Sequence, residues 1–510
     1  MRKAPPQPHY RGERVATARP KTAKSPLAPG LTLTVDPAWH LARRATHAAT
    51  AAQAATIRRA GTTKWIDTQL APARIDDGPT ERFVNSTFRV TTLDLPGIRA
   101  FTGNKLWEST PSLERATAWR QLTTRRPLLE KLVEMWHDHL HIALRDDNVA
   151  GWLCVYDREV IRPRALGRFA DLLYAATTHP AMLRYLDNAG STAAAPAENL
   201  AREFLELHTV GTGVYRERDV KDMAKLLTGF SVDERSGTFV YRPTVHAVGP
   251  LSIVGVRLAN ASPGAGPADL RTLVERLAVH PATVKNVVTR LARRFVADAP
   301  PASLISRLTS AYLASGTRIA PVVRTLLLSP EFAGSTGRKW ARPQELIAAA
   351  FAAGGPRYIK PKDADPWAPM GTYLWLLDTL GHLPMDHPDP SGYPDTAAAW
   401  LNPGALLARW NAAEAIAGRW DKTLPTRPWA TAIGLTTAQT YAQAATRLVT
   451  QLTGYSPAAA DRDAIATFLA DPSGRRGTPP ATARVSADAL RWHLDQSVRL
   501  VLASPYMSLR

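Results

Sequence analysis

The chain of 510 residues has a single cysteine, Cys154. An intramolecular disulfide and a cysteine zinc site are therefore both excluded. That absence does not assign a compartment, because proteins without disulfides occur everywhere. No apolar run approaches the roughly 18–20 residues that a membrane span requires. The N-terminus is basic but lacks the apolar core of a secretory signal, so the expectation from the sequence at face value is a start in the cytoplasm. Acids are scarce: 44 Asp and Glu face 63 Lys and Arg, for a net charge of +19. The first 35 residues hold seven bases (Arg2, Lys3, Arg11, Arg14, Arg19, Lys21, Lys24) and one acid, Glu13, so +13 remains on the rest. A body that basic favours anionic partners: nucleic acid, anionic lipid, or an acidic polymer. No motif joins basic groups to aromatic stacking positions, which places nucleic acid last.

What is present is an ordinary globular composition, 45% hydrophobic, in a chain long enough for a large core. Residues 1–35 are rich in Pro, Lys, Arg and Thr and are expected to be a disordered basic tail. Residues 36–510 are expected to form one mainly α, multi-helix domain. Asp36-Pro37 is a helix start, with Asp as cap and Pro at the first position. The junctions THPAML, VHPATV, LSPEFA and ASPYMS repeat that device with His or Ser before Pro. They follow no fixed period, which argues against a regular solenoid. Alternation and turn residues over about 231–256 predict a small β-ribbon, with strands over 239–242 and 252–254. Residues 354–402 read as a loop region rich in Pro and aromatics, including Trp367, Tyr373, Trp375, His382, His387, Tyr393 and Trp400. Near Asp386, His387 and Asp389 these side chains could line a carbohydrate or polymer cleft, or simply wrap the core. Asp471 to Pro480 reads as an exposed loop before the last helices.

The stretch PAENLAREFLELHTVGTGVY, Pro196 to Tyr215, is the pivot. A helix is predicted over 198–208, closed by Gly211 and Gly213. At about 100° per residue, Leu200, Ala201, Phe204, Leu205 and Leu207 form one apolar arc, which His208 joins. Asn199, Arg202, Glu203 and Glu206 form the opposite arc. Glu203 and Glu206, three apart, point the same way. Two carboxylates, a guanidinium and an amide on one face could hold a metal or tune an acid and a base. They could equally be a solvated face with an ordinary ion pair.

The second constellation is WHDHLH, with His137, Asp138, His139 and His141. In an unbroken helix His137 and His139 diverge by about 200° and cannot share a metal. His139 would then join Leu128, Leu132 and Met135 on the apolar face, and His137 and His141 would align with Glu130 and Glu134. If the backbone turns extended at 136–140, residues two apart return to one side and His137 and His139 converge. Imidazole with carboxylate suits zinc, iron or manganese, and Glu134 to His137 has the Glu-x-x-His spacing of di-metal bundles. Histidines also satisfy buried carbonyls and cap helix ends.

ENLAREFLELHTVGTGVY, followed by RERDV and LLTGF, resembles the signature of the bacterial domain-of-unknown-function 1800 family. RRAT at Arg43, WHDHL at Trp136, MLRYLDN at Met182, HPAT at His280, LLLSPEF at Leu326 and GYPDTAAAWLNPGALLARWN from Gly392 match in order, from about His40 to the C-terminus. The resemblance implies His137 and His139 as the matching histidine pair, and members that are often exported or envelope-associated. It carries no agreed activity. This chain departs from the pattern with His47-Ala48 for Phe-Gly, Leu140 for Phe, Ala197 for Asn, and His246-Ala247 for His-Asp; His141 is its own addition. His246 is therefore a weak binding candidate.

If the 128–139 and 198–208 helices pack together, His137 or His139 comes near Glu203 and Glu206. The leading expectation is then a divalent-metal enzyme with His137, His139, Glu203 and Glu206 as ligands. Its metal-bound water would hydrolyse an envelope-related or anionic polymer. Glu203, Glu206, Arg202 and His137 form its catalytic set, Arg202 orienting an anionic group. Asn199, Glu198 and His246 would support binding. The rival is a non-enzymatic scaffold with a basic surface for an anionic polymer or a partner protein, in which the same side chains are an ionic lock.

Overall fold

The computed structural model describes residues 33–361, 369–474 and 479–510. Trp367, residues 1–32, and residues 475–478 of the loop expected at 471–480 lie outside the described residues. The body is mainly α-helical, as the periodicity requires. Local chemistry sets many of its boundaries. Asp36 caps the Pro37–Ala45 helix, its carboxylate accepting from Trp39 N at 2.9 Å. His179, His280 and Ser329 cap the helices that follow them, each with Pro at the first position. The fourth such junction, at Ser504, has the proline but no side-chain cap.

Three regions differ from expectation. The ribbon is two separate antiparallel hairpins, Phe230–Asp233 with Thr238–Tyr241 and Leu251–Ile253 with Val256–Leu258. Gly237 and Gly255 take positive φ in their turns, and each strand closes with its sequence neighbour rather than across the longer loop. The last residues of the expected tail are not free: Thr34–Val35 pairs antiparallel with Tyr455–Ser456. The aromatic segment contains a helix, Gly371–Thr379, because TYLWLLDT between two prolines-rich stretches is free of helix breakers.

Apolar side chains gather in two large clusters. One is built mainly from 38–332, with Met385, and includes the Pro127–His139 helix and the central helix. The other is built mainly from 346–507, on the helices Pro343–Ala353, Pro403–Ala417, Tyr441–Thr453 and Leu494–Leu502. Between them lies a seam of buried charge. Among the described residues no helix is long and apolar enough to cross a membrane.

Candidate functional site

The Pro127–His139 helix forms one wall of the seam. Glu130, Lys131, Glu134, His137, Asp138 and His139 on it are all buried. Charges leave water at a cost of several kcal/mol each unless they are paired, so their partners matter. Toward one side Arg162 takes Glu130 at 2.7 Å and Asp157 at 2.6 Å, and Asp157 takes His137 Nε2 at 2.9 Å. Burial opposes ionisation of Asp157, but Arg162 and His137 hold it well below the usual carboxylate range. Toward the other side Glu134 meets His47 at 2.7 Å, Arg294 at 2.5 Å, and Lys131 and Arg342 at 3.5 Å each. Arg342 also holds Asp138 at 2.8 Å and His382 Nε2 at 2.6 Å. Lys131 and Arg510 both pair with Glu345. Asp395 lies 3.5 Å from Arg294 and 3.7 Å from Lys339. Burial lowers Lys131 to about 8 and His47 to about 4, the latter despite Glu134.

The seam is closely packed. Gly392 has φ +66° and lies against the backbone of Asp138, where a Cβ would collide with the carbonyl oxygen. A cavity of about 20 Å³ touches Glu134, His137, Asp138 and Tyr393, and another of about 20 Å³ touches Arg43, His47, Glu345 and Arg510. Each has room for about one water. A groove of about 900 Å³ lies elsewhere, lined by Leu407, Trp410, Ile465 and Leu500, and includes none of the candidate residues.

The central helix is α-helical only over Asn199–Glu203 and continues as a π-helical turn, Phe204–His208. Thr209 Oγ1 donates to Phe204 O at 2.7 Å and Gly211 N to Leu205 O at 3.0 Å, which closes the widened turn. The apolar arc is buried as expected, with Leu207 only partly so, and the polar arc faces outward. Arg202 bridges Glu198 at 3.3 Å and Glu217 at 2.8 Å. Glu206 accepts from the Tyr215 hydroxyl. Glu203 is half-buried, and burial first and Glu206 second raise its pKa. Asn199 Nδ2 donates to Asp187 at 3.2 Å. His246 is buried between the Thr228 carbonyl and Asn260 Oδ1, both at 2.8 Å, as a bridge holding the hairpin region.

The two segments do meet, through a different pair. The rings of His139 and His208 lie 6.3 Å apart. The helix runs unbroken to His139, so His137 and His139 diverge, and His139 enters the apolar core. His141 reaches the His387 carbonyl at 2.7 Å instead of aligning with Glu134. Because the central helix packs through its apolar arc, His208 faces inward while Glu203 and Glu206 face away. Among the described residues, no group of three or more His, Cys, Asp or Glu converges as a metal site would need. Among the described residues no well-formed hydrogen bond reaches either ring nitrogen of His139 or His208 Nε2, although the His208 backbone lies beside the His139 ring. Such orphans cost about 1–3 kcal/mol each.

Sequence reasoning missed His47, Arg294, Arg342, Glu345, His382 and Asp395. The Pro127–His139 helix gave no warning: Glu130, Lys131, Glu134, His137 and Asp138 fall on one arc, as they would on a solvated face, and only the structure shows that arc buried.

These features define a class: a mainly helical protein whose two apolar clusters are joined by a buried ionic seam. The model of the family described as "Protein of unknown function (DUF1800)" matches residues 40–509, and the chain belongs to that family. No curated protein and no solved structure matches it.

Proposed function

We propose that the protein is a non-catalytic binding protein that holds an anionic polymer, or the acidic surface of a partner protein, at a basic face beside the central helix. The supporting observation is a set of exposed cations without ion-pair partners among the described residues: Arg216, Arg218 and Lys221 on and before the Glu217–Leu226 helix, and Arg257 on the hairpin packed against it. The acids of that helix are already engaged. Glu217 pairs with Arg202, Asp222 with Lys225 at 3.2 Å, and buried Asp219 accepts from Arg216 N and Val254 N. The face therefore presents net positive charge to solvent, in keeping with the +19 of the chain. An envelope-associated polymer is one substrate class of that charge. The test is binding of polyphosphate and of polyglutamate to the purified chain across a salt series. Saturable binding that weakens with salt and is lost in the Arg216→Glu, Arg218→Glu, Lys221→Glu triple variant supports the reading. No binding, or equal binding by the triple variant, refutes it.

A second reading is a metal-dependent hydrolase of such a polymer. What favours it is Glu203, a half-buried carboxyl held toward its protonated form beside Glu206 and Arg202, as a general acid needs. A divalent metal would have to use Glu203 and Glu206, since Asp157 engages His137 and His139 faces the core. Elemental analysis of the purified chain decides: stoichiometric metal, lost on Glu203→Ala, supports this reading against the first.

A further inference from the structure

The groove of about 900 Å³ is framed by three helices, Pro403–Ala417, Ala459–Ala470 and Leu494–Leu502. Each turns one helical stripe toward it, as positions 407, 410, 411 and 414 do on the first. Leu407, Trp410 and Leu500 are 56%, 54% and 40% exposed there. The acids of the lining are spent inside the fold: Glu414 pairs with Arg499 at 2.5 Å, and Asp461 accepts from the Tyr506 hydroxyl at 2.6 Å. What stays open is chiefly apolar, so the groove suits an apolar occupant.

The chain brings one to its edge. Thr34–Val35 pairs antiparallel with Tyr455–Ser456, Thr34 opposite Ser456. Read backward from Thr34, the chain therefore runs alongside Pro457 and Ala458. Ala458 N donates to the Tyr506 hydroxyl at 3.0 Å, the same hydroxyl that reaches Asp461, and Tyr506 and Asp461 both line the groove. Leu33 and Leu406 pack against one small apolar cluster, and Leu407 of the groove follows directly in the chain. The sequence upstream keeps one pattern: Leu27, Pro29, Leu31, Leu33 and Val35 are two apart. In an extended chain they share a side, and Leu33 and Val35 already turn that side onto the apolar body.

We propose that this groove is the docking site of the chain's own segment Leu27 to Thr32, which lies outside the described residues, with Leu31, Pro29 and Leu27 seated on Leu407, Trp410 and Leu500. A helical stripe seven residues long covers about 10 Å, and six extended residues cover about 20 Å, so the segment spans the groove. Proline suits an extended segment that offers side chains rather than ladder hydrogen bonds. Burial of two leucines supplies the drive. A second copy presents the same segment, but one tethered at Leu33 acts at an effective concentration on the order of millimolar. The groove is separate from the basic face, and the proposal does not rest on that reading.

The test is maleimide labelling of the full-length chain. Cys154 is buried and gives a silent background. Asn411→Cys and, separately, Gln496→Cys place a thiol at exposed lining positions and leave the apolar contacts intact. Each is labelled with the parental segment, with Leu27→Asp and Leu31→Asp together, and with Ala28→Asp and Thr32→Asp together. The first aspartate pair falls on the apolar side of the alternation and the second on the other side. The first pair should speed labelling of at least one thiol by at least about tenfold, whatever the protein concentration, and the second should leave it near the parental rate. The proposal is overturned if the first pair changes neither rate, which means an open groove, or if both pairs act equally. It is also overturned if protection grows with protein concentration, which assigns the groove to a second copy. Should one cysteine variant fail to fold, the other decides by the same criteria.

Discussion

The outward face of the central helix and the seam around Glu134 use the same residue types in opposite settings. On the face, Arg202, Glu198 and Glu217 form a chain of ion pairs in which every partner is more than a third exposed. In the seam, Glu134, Arg294 and Arg342 are at most 7% exposed and share partners. Water screens the first set, so its pairs have little energetic weight. The second set has surrendered its hydration, so each member depends on the others. Charge in this protein therefore divides into a part that holds two apolar clusters together and a part that is free to meet something else.

The comparison can be broken at several points. The largest expected effect is at Arg294. Arg294→Ala leaves Glu134 and Asp395 short of a cation and should cost about 3–5 kcal/mol in urea unfolding; a loss under about 1 kcal/mol would place the seam with the surface pairs. Next comes acid. Burial pushes His40, His179 and His208 down to about 3 and His47 to about 4, in each case chiefly by desolvation. A histidine with a lowered folded pKa stays neutral when folded while the unfolded chain takes the proton, near pH 6.5. Its stabilisation is complete above that pH and is lost as pH falls toward the folded value. Each such histidine should remove on the order of 1 kcal/mol per pH unit between about pH 6.5 and pH 4. The depressed carboxylates Asp157 and Glu345 act lower, below about pH 4, where the unfolded carboxyls protonate first. Thermal melts at pH 7, 6, 5 and 4 test this, and a flat profile down to pH 4 would contradict it. The smallest effect belongs to Arg202→Ala, expected to change stability by less than about 1 kcal/mol. Unfolding of this variant sharpens the contrast, since a larger loss would mean the face is structural too.

The sequence made one side of this division legible and hid the other. Helix starts at Asp36, His179, His280 and Ser329 could be read locally, because a cap and a first-position proline are decided by neighbouring residues. The polar arc of the central helix was also readable from its period. The π-helical turn at Phe204–His208 was not, since it depends on how Thr209 and Gly211 close onto Phe204 and Leu205. Nor were the partners of Glu134, which come from His47, Arg294, Arg342 and His382, far away in the chain. A period locates an amphipathic face, but it cannot say that the charged arc of the Pro127–His139 helix will be buried. The period therefore points to Glu203 and Glu206, while the histidine that meets His139 is His208 on the opposite arc.

The most direct test sets one carboxylate from each region side by side. Glu134→Gln and Glu203→Gln remove the same charge with the same change of shape, and urea unfolding of both at pH 7 measures what each charge does. Glu134→Gln should lose about 3–5 kcal/mol. Glu203→Gln should stay within about 1 kcal/mol of the parent, because burial and Glu206 already disfavour its charge. Equal losses in the two variants, or a larger loss at Glu203, would contradict the division of charge proposed for this fold.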